Sequence, residues 1–144
     1  MIFHKSILPL LSRVAVAVAL LSALLACGDP KYHAPAIVVT FDPNFPPPVS
    51  INAGAYWDQG LAADVANDPK NGGVNFSCAP VGDCGSFNPT GAGSAVPTCY
   101  QAPETAPAGG TVTVTATSVD DPTKFVTSEP ITITSGPPGT SCEP

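Results

Sequence analysis

Basic residues are scarce in this chain of 144 residues. Lysine and arginine together number five against eleven acidic residues, and Arg13 is the one arginine. Beyond residue 26, three lysines remain with all eleven acidic residues, and the formal net charge of that part is −8. A nucleic-acid-binding protein is expected to carry a basic patch that contacts phosphates. The composition therefore predicts no nucleic-acid partner.

Histidine is rarer still, which argues against most catalytic chemistry. Of the two histidines, His4 lies in the first segment and His33 lies in a short polar stretch, whereas a Ser-His-Asp unit needs a histidine that a third group orients. Asp64, Asp68 and Asp83 could bind calcium, which takes six to eight oxygens, if the fold gathered them at one end. No Asp-x-Asp-x-Asp-Gly string is present. We predict a protein that is not an enzyme, with no metal and no cofactor.

The chain has one strongly apolar run, at residues 14–26, and Ser22 is its one polar residue. A helix that spans a bilayer needs about 20 apolar residues, so this run of thirteen is short for a span. Lys5 and Arg13 precede it, and a basic start followed by a short apolar segment is typical of a secretory signal peptide. We therefore assign residues 1–26 to a cleaved signal peptide.

The apolar run ends in Leu-Leu-Ala-Cys at residues 24–27, and Gly28 follows. This ending resembles the lipobox of bacterial lipoproteins. The resemblance implies that the Cys27 sulfur receives a diacylglyceryl group, that the chain is cut before Cys27, and that the new amine is acylated. Gly28 stands where an aspartate would resemble an inner-membrane retention signal, so we expect a lipid-anchored protein of the cell envelope, at the outer membrane. The alternative is ordinary cleavage near Ala26, with Cys27 as a spare thiol.

The rest of the chain has the composition of a β-protein. Eighteen prolines and thirteen glycines argue against long helices, and short alternating runs rich in valine and threonine favour strands. Residues 111–119 give the clearest alternation, and residues 79–95 are predicted to be a loop. We predict a tether at 27–35, a two-sheet sandwich of about seven strands at 36–134 and an irregular tail at 135–144. The predicted core consists of Val38, Leu61, Val65, Phe76, Tyr100, Val112, Val114 and Ile131.

Four cysteines remain besides Cys27, namely Cys78, Cys84, Cys99 and Cys142. An exported chain enters an oxidising compartment, so an even number predicts two disulfides. Three pairings are possible; the short separation favours Cys78 with Cys84, which would leave Cys99 with Cys142. A zinc site is disfavoured because the spacing is not Cys-x-x-Cys and no histidine lies near.

Several strings are similar to the bacterial immunoglobulin-like (Big-type) domains of extracellular proteins. They are GVNFSC, CGSF, CYQAP, GGTVTVTATSVDDPTK and a closing ITIT. The resemblance covers residues 36–134 and implies an immunoglobulin-like sandwich, in which the prolines of 43–48 mark the place where a first strand crosses between sheets. It indicates little about the ligand.

Candidate binding residues are therefore sought on the loops, where scaffold sandwiches commonly carry recognition. Trp57 and the 79–95 loop, which contains Phe87, are the candidates. We expect a non-catalytic module with a structural, adhesion or protein-interaction role, whose partners are the membrane, through the N-terminal lipid, and an envelope protein or polysaccharide. The alternative is a carbohydrate-binding module on the cell surface, which an exposed aromatic platform would favour.

Overall fold

A computed structural model describes residues 33–139 and Cys142. Cys27 and the expected signal peptide lie outside these residues. The described chain is all-β, as predicted, and contains no helix. Its strands belong to one compact unit that begins at Pro35. The strands are β1 (Val38–Phe41), β2 (Ser50–Asn52), β3 (Ala63–Ala66), β4 (Val74–Ala79), β5 (Ser86–Asn88), β6 (Gly91–Ala92), β7 (Cys99–Gln101), β8 (Thr111–Ser118), β9 (Phe125–Thr127) and β10 (Ile131–Thr134).

The strands form two layers, an arrangement consistent with a β-sandwich. One layer is a sheet in the order β2-β10-β8-β4-β6, with β9 also paired to β8. The other layer contains the pairs β1-β3 and β5-β7, which are joined by isolated bridges from Leu61 to Thr98 and from Tyr56 to Gln101. Apolar side chains of both layers make up one buried cluster, whose removal from water is the main stabilising contribution.

Proline explains why the structure has ten short strands where about seven were predicted. The segments 38–52, 86–92 and 125–134 are each interrupted once, and each interruption contains proline: Pro43 and Pro46–Pro48, then Pro89, then Pro130. Proline has no backbone N–H to donate to a ladder, so pairing stops where it occurs. With these interruptions ignored, seven extended segments remain.

Two of the interrupted segments change sheets. β1 pairs antiparallel with β3, whereas β2 pairs parallel with β10, so the first segment leaves one layer and joins the other between Asp42 and Val49. β5 pairs with β7 and β6 with β4, so the segment 86–92 also crosses. The prediction of a loop at 79–95 was therefore wrong in part, because β5 and β6 lie within it. Its many Gly, Pro and Ser residues obscured two very short strands.

Seven of the eight predicted core residues are buried, and the exception is Val38. Val38 is 50% exposed, whereas its neighbour Val39 is 7% exposed and belongs to the core. Successive strand residues point to opposite faces, so a register shift of one residue exchanges buried and exposed positions. The pairing of Val39 with the buried Val65 determines which valine points inward.

Candidate functional site

The strand register defines two ends of the sandwich. At one end, Val38 pairs with Ala66, and Val74 pairs with Ser118. We call this the entry end, because the chain enters the sandwich here; it comprises the start of β1 and the loops 67–73 and 119–124. At the opposite end, Ala79 pairs with Thr113, and Ser86 pairs with Gln101. We call this the far end; it comprises the loops 53–56, 80–85 and 102–110 and the segment 135–139.

Trp57 follows the far-end loop 53–56 and is half-buried against the core. Its backbone N–H donates to the Tyr100 carbonyl at 2.8 Å, and its indole N–H donates to the Pro46 carbonyl at 3.2 Å. The side chain lines an open depression of about 310 Å³ together with Ser50, Asn52, Ala55 and other residues. The sole tryptophan of the chain is thus held from two sides, with part of its surface facing this depression.

Phe87 does not project into solvent as a free contact residue. It is half-buried in β5, and its ring lies between two buried rings, with centroids 5.6 Å from Phe76 and 5.2 Å from Tyr100. Tyr100 is fully buried, and its hydroxyl donates to the Cys84 carbonyl at 2.7 Å. Tyr and Phe side chains contribute large apolar areas when buried. The three packed rings therefore stabilise the 80–85 loop, to which Tyr100 is hydrogen-bonded. Phe87 and Trp57 each pack against the core instead of forming one exposed platform.

A second far-end depression, of about 380 Å³, lies between the 80–85 loop and the loop after β7. Its lining includes Gly82, Asp83, Gly85, Gln101 and Glu104. The close approach of the two segments depends on Gly85: its φ is 96°, and a Cβ placed there would lie 2.0 Å from the Gln101 carbonyl oxygen. Only glycine fits that backbone geometry without displacement. Sequence reasoning did not single out Glu104, because its place beside Asp83 depends on the β5-β7 pairing.

Two carboxylates meet at the entry end. Asp68 and Asp120 come from different loops, and each accepts a hydrogen bond from the Lys70 backbone N–H, at 3.3 Å and 3.2 Å respectively. Desolvation raises the pKa of Asp120, and so do the hydrogen bond and the negative charge of Asp68. Desolvation also acts to raise the pKa of Asp68, but hydrogen bonds from Asp120 and from the Gly73 and Lys70 amides outweigh it, and that pKa is lowered. The pKa values of the two carboxyl groups are therefore shifted in opposite directions.

The fold does not bring together Asp64, Asp68 and Asp83, as a calcium site would require. Asp68 lies at the entry end and Asp83 at the far end, and β4 runs between them. Within residues 33–139 and Cys142, no cluster of three or more His, Cys, Asp or Glu residues is placed to bind a metal ion. The same residues contain no helix long and apolar enough to cross a bilayer.

Both disulfides occur in the favoured pairing. Cys78 is bonded to Cys84 across the 80–85 loop, and Cys99 in β7 is bonded to Cys142. The Cys99–Cys142 bridge places Cys142 beside Trp57, whose carbonyl oxygen lies 3.5 Å from the Cys142 sulfur. These bridges account for four of the five cysteines, and the fifth is Cys27.

No protein-family model matches the chain, and neither the curated proteins nor the solved structures contain a significant match.

Proposed function

We propose that this protein is a bacterial lipoprotein whose lipidated Cys27 tethers a non-catalytic immunoglobulin-like sandwich in the cell envelope. Residues 1–26 act as its signal peptide, and the outer membrane is its destination. The module serves a structural, adhesion or protein-interaction role. The observation that carries the proposal is the use of the cysteines: four are joined in pairs within the sandwich, and the fifth ends the apolar run in Leu-Leu-Ala-Cys.

The two bridges support export. Disulfides persist in oxidising compartments such as the bacterial periplasm or the cell surface and are rare in the cytosol. A tether through one acyl chain binds only marginally, since each buried CH₂ contributes about 0.8 kcal/mol, whereas two or more chains anchor a protein stably. The diacylglyceryl and amide-linked chains expected at Cys27 meet that requirement.

The strand topology supports the immunoglobulin-like assignment. Immunoglobulin-like sandwiches pack two antiparallel sheets with about seven to nine strands in total, joined by Greek-key connections. Here the seven extended segments divide between two layers, and the first segment crosses from β3 to β10 at its prolines. That crossing is the feature that the resemblance to Big-type domains implies at residues 43–48.

A carbohydrate-binding module on the cell surface is the second candidate. It is favoured by the open depression beside Trp57, which polar residues such as Ser50, Asn52 and Asp58 also line. Sugar sites combine an aromatic face with polar groups that fix the orientation of the ligand. Trp57 is half-buried, and its indole N–H donates to the Pro46 carbonyl. Less of the ring is therefore available to a sugar than an exposed aromatic platform would offer.

Replacing Cys27 by serine is expected to release the protein from membranes. The substitution removes the sulfur that carries the diacylglyceryl group, so we expect the protein to move from the membrane pellet to the soluble fraction of lysed cells. Fractionation after expression in a bacterial host, with an immunoblot of both fractions, measures the effect. Cys27 lies outside the sandwich sequence, and the melting temperature of the domain should therefore not change. A variant that still pellets completely would contradict the lipid anchor.

A further inference from the structure

We propose that the entry end rests on the bilayer surface, with Phe125, Val119 and Val38 in contact with lipid and the far end facing away. This inference rests on the proposed lipid anchor. It adds an orientation, and it assigns a membrane-contact role to exposed apolar residues that packing leaves unexplained.

Exposed apolar side chains are concentrated at the entry end. Among the residues that the structure describes, six large apolar side chains are more than 40% exposed, and three of them lie at the entry end: Val38 at 50%, Val119 at 44% and Phe125 at 61%. Val38 begins β1, Phe125 begins β9, and Val119 directly follows β8. Single exposed apolar residues are ordinary on protein surfaces, but a concentration at one end suggests contact with an apolar phase.

The segment that leads from Cys27 joins the sandwich at the entry end. The Asn67 side-chain amide donates to the Ala36 carbonyl at 2.9 Å, which holds the entering chain beside the loop 67–73. Ala36 lies nine positions after Cys27, and that length of chain spans at most about 32 Å when fully extended. The eight-residue β8 runs from one end of the sandwich to the other and is about 25 Å long. The tether is therefore attached at the entry end, which stays within about 32 Å of the anchored lipid. Because the tether can be longer than the sandwich, the exposed apolar residues of the entry end, and not tether length, turn the far end away from the bilayer.

The charges at the entry end indicate which kind of lipid surface this end contacts. Lys70 and Lys124 both lie in the entry-end loops, but Asp68, Asp120 and Asp121 lie there too. The end carries no net positive charge, and the chain as a whole is acidic. Electrostatic attraction to anionic lipids is therefore not the source of the contact. We expect apolar contact with a neutral phosphatidylcholine surface, and little dependence on salt.

Tryptophan fluorescence in vesicles tests the orientation, because Trp57 is the sole tryptophan of the chain. The full lipoprotein is reconstituted into phosphatidylcholine vesicles that contain a doxyl-labelled phosphatidylcholine. One variant combines Trp57→Phe with Phe125→Trp. Its matched control combines Trp57→Phe with Val81→Trp, since Val81 is 92% exposed in the far-end loop 80–85.

We expect the tryptophan at position 125 to lose about half of its emission, because interfacial apolar groups enter the headgroup boundary by about 5–10 Å, and the tryptophan at position 81 to keep its emission. Equal emission from both variants, or quenching of position 81 alone, would overturn the proposal. So would a blue shift at position 125 that follows protein concentration without lipid, since a second copy of the chain would then cover this end.

Sedimentation separates the two levels of failure. Protein that stays in the supernatant lacks the lipid anchor, and the proposed function and the orientation then fail together. Protein that pellets with an unquenched tryptophan at position 125 keeps the anchor and refutes the orientation alone. If Trp57→Phe unfolds the domain, paramagnetic broadening of the amide signals in the unchanged sequence gives the same comparison, with loss expected at Val119 and Phe125 and not at Val81.

Discussion

Tyr100→Ala is expected to lower the free energy of unfolding by about 4 kcal/mol, the usual cost of truncating a buried aromatic side chain. Tyr100 is 0% exposed, its ring contacts Phe87, and its hydroxyl donates to the Cys84 carbonyl. The substitution removes both the packing and the hydrogen bond, and it undermines the loop that carries the first disulfide. Urea unfolding followed by circular dichroism measures the change.

Tyr100→Phe serves as the matched control for packing. It keeps the ring and leaves the buried Cys84 carbonyl without its donor, so a smaller loss of about 1–2 kcal/mol is expected. Burial raises the pKa of Tyr100 to about 12 from 10.0. The native state therefore disfavours ionisation of Tyr100. The associated stability is fully present below pH 10 and is lost as the pH rises toward 12, and Tyr100→Phe should lack this alkaline loss. A cost below about 1 kcal/mol for Tyr100→Ala would show that the aromatic group does not organise the core.

Removing the Cys99–Cys142 bridge is expected to cost about 4 kcal/mol, against about 2 kcal/mol for the Cys78–Cys84 bridge. The reason is loop length: Cys99 and Cys142 are 43 positions apart in sequence, whereas Cys78 and Cys84 are 6 positions apart, so the Cys99–Cys142 bridge restricts the unfolded chain more. The pair Cys99→Ala with Cys142→Ala is compared with the pair Cys78→Ala with Cys84→Ala by denaturant unfolding.

Reduction of the unsubstituted protein is the companion measurement for the bridges. With both restraints removed, the transition should move further than in either double variant, because small domains depend strongly on such restraints. Equal costs for the two double variants, or a larger cost for the short loop, would contradict the chain-entropy explanation. It would indicate that local packing around Cys84, which is 5% exposed, dominates.

Strand periodicity made much of the fold predictable. In β8 threonine alternates with apolar residues as far as Thr117, and the structure buries Val112, Val114 and Ala116 as that alternation requires. The error at Val38 arose because β1 begins with two adjacent valines, and alternation cannot choose between them without knowing that Val39 faces Val65. β5 and β6, in the segment 86–92, were missed because both strands are very short and are separated by Pro89. They also contain residues that usually favour turns.

The candidate sites were much less predictable, because they depend on contacts between distant segments. Asp68 was considered as a calcium ligand together with Asp64 and Asp83, whereas Asp120 belongs to a loop about fifty residues further along the chain. The pairing of Val74 with Ser118 brings the loops of Asp68 and Asp120 together. Trp57 was predicted as a candidate binding residue, but its two hydrogen-bond partners, Tyr100 and Pro46, come from other parts of the chain. A local pattern carries no information on such partners.

Intact-mass analysis of the N-terminal peptide from protein extracted out of bacterial membranes tests the central claim most directly. We predict a peptide that begins at Cys27 and carries the mass of a diacylglyceryl group on its sulfur and an acyl chain on its amine. A peptide that begins at or beyond residue 27 with an unmodified amine and no added lipid mass would contradict the account.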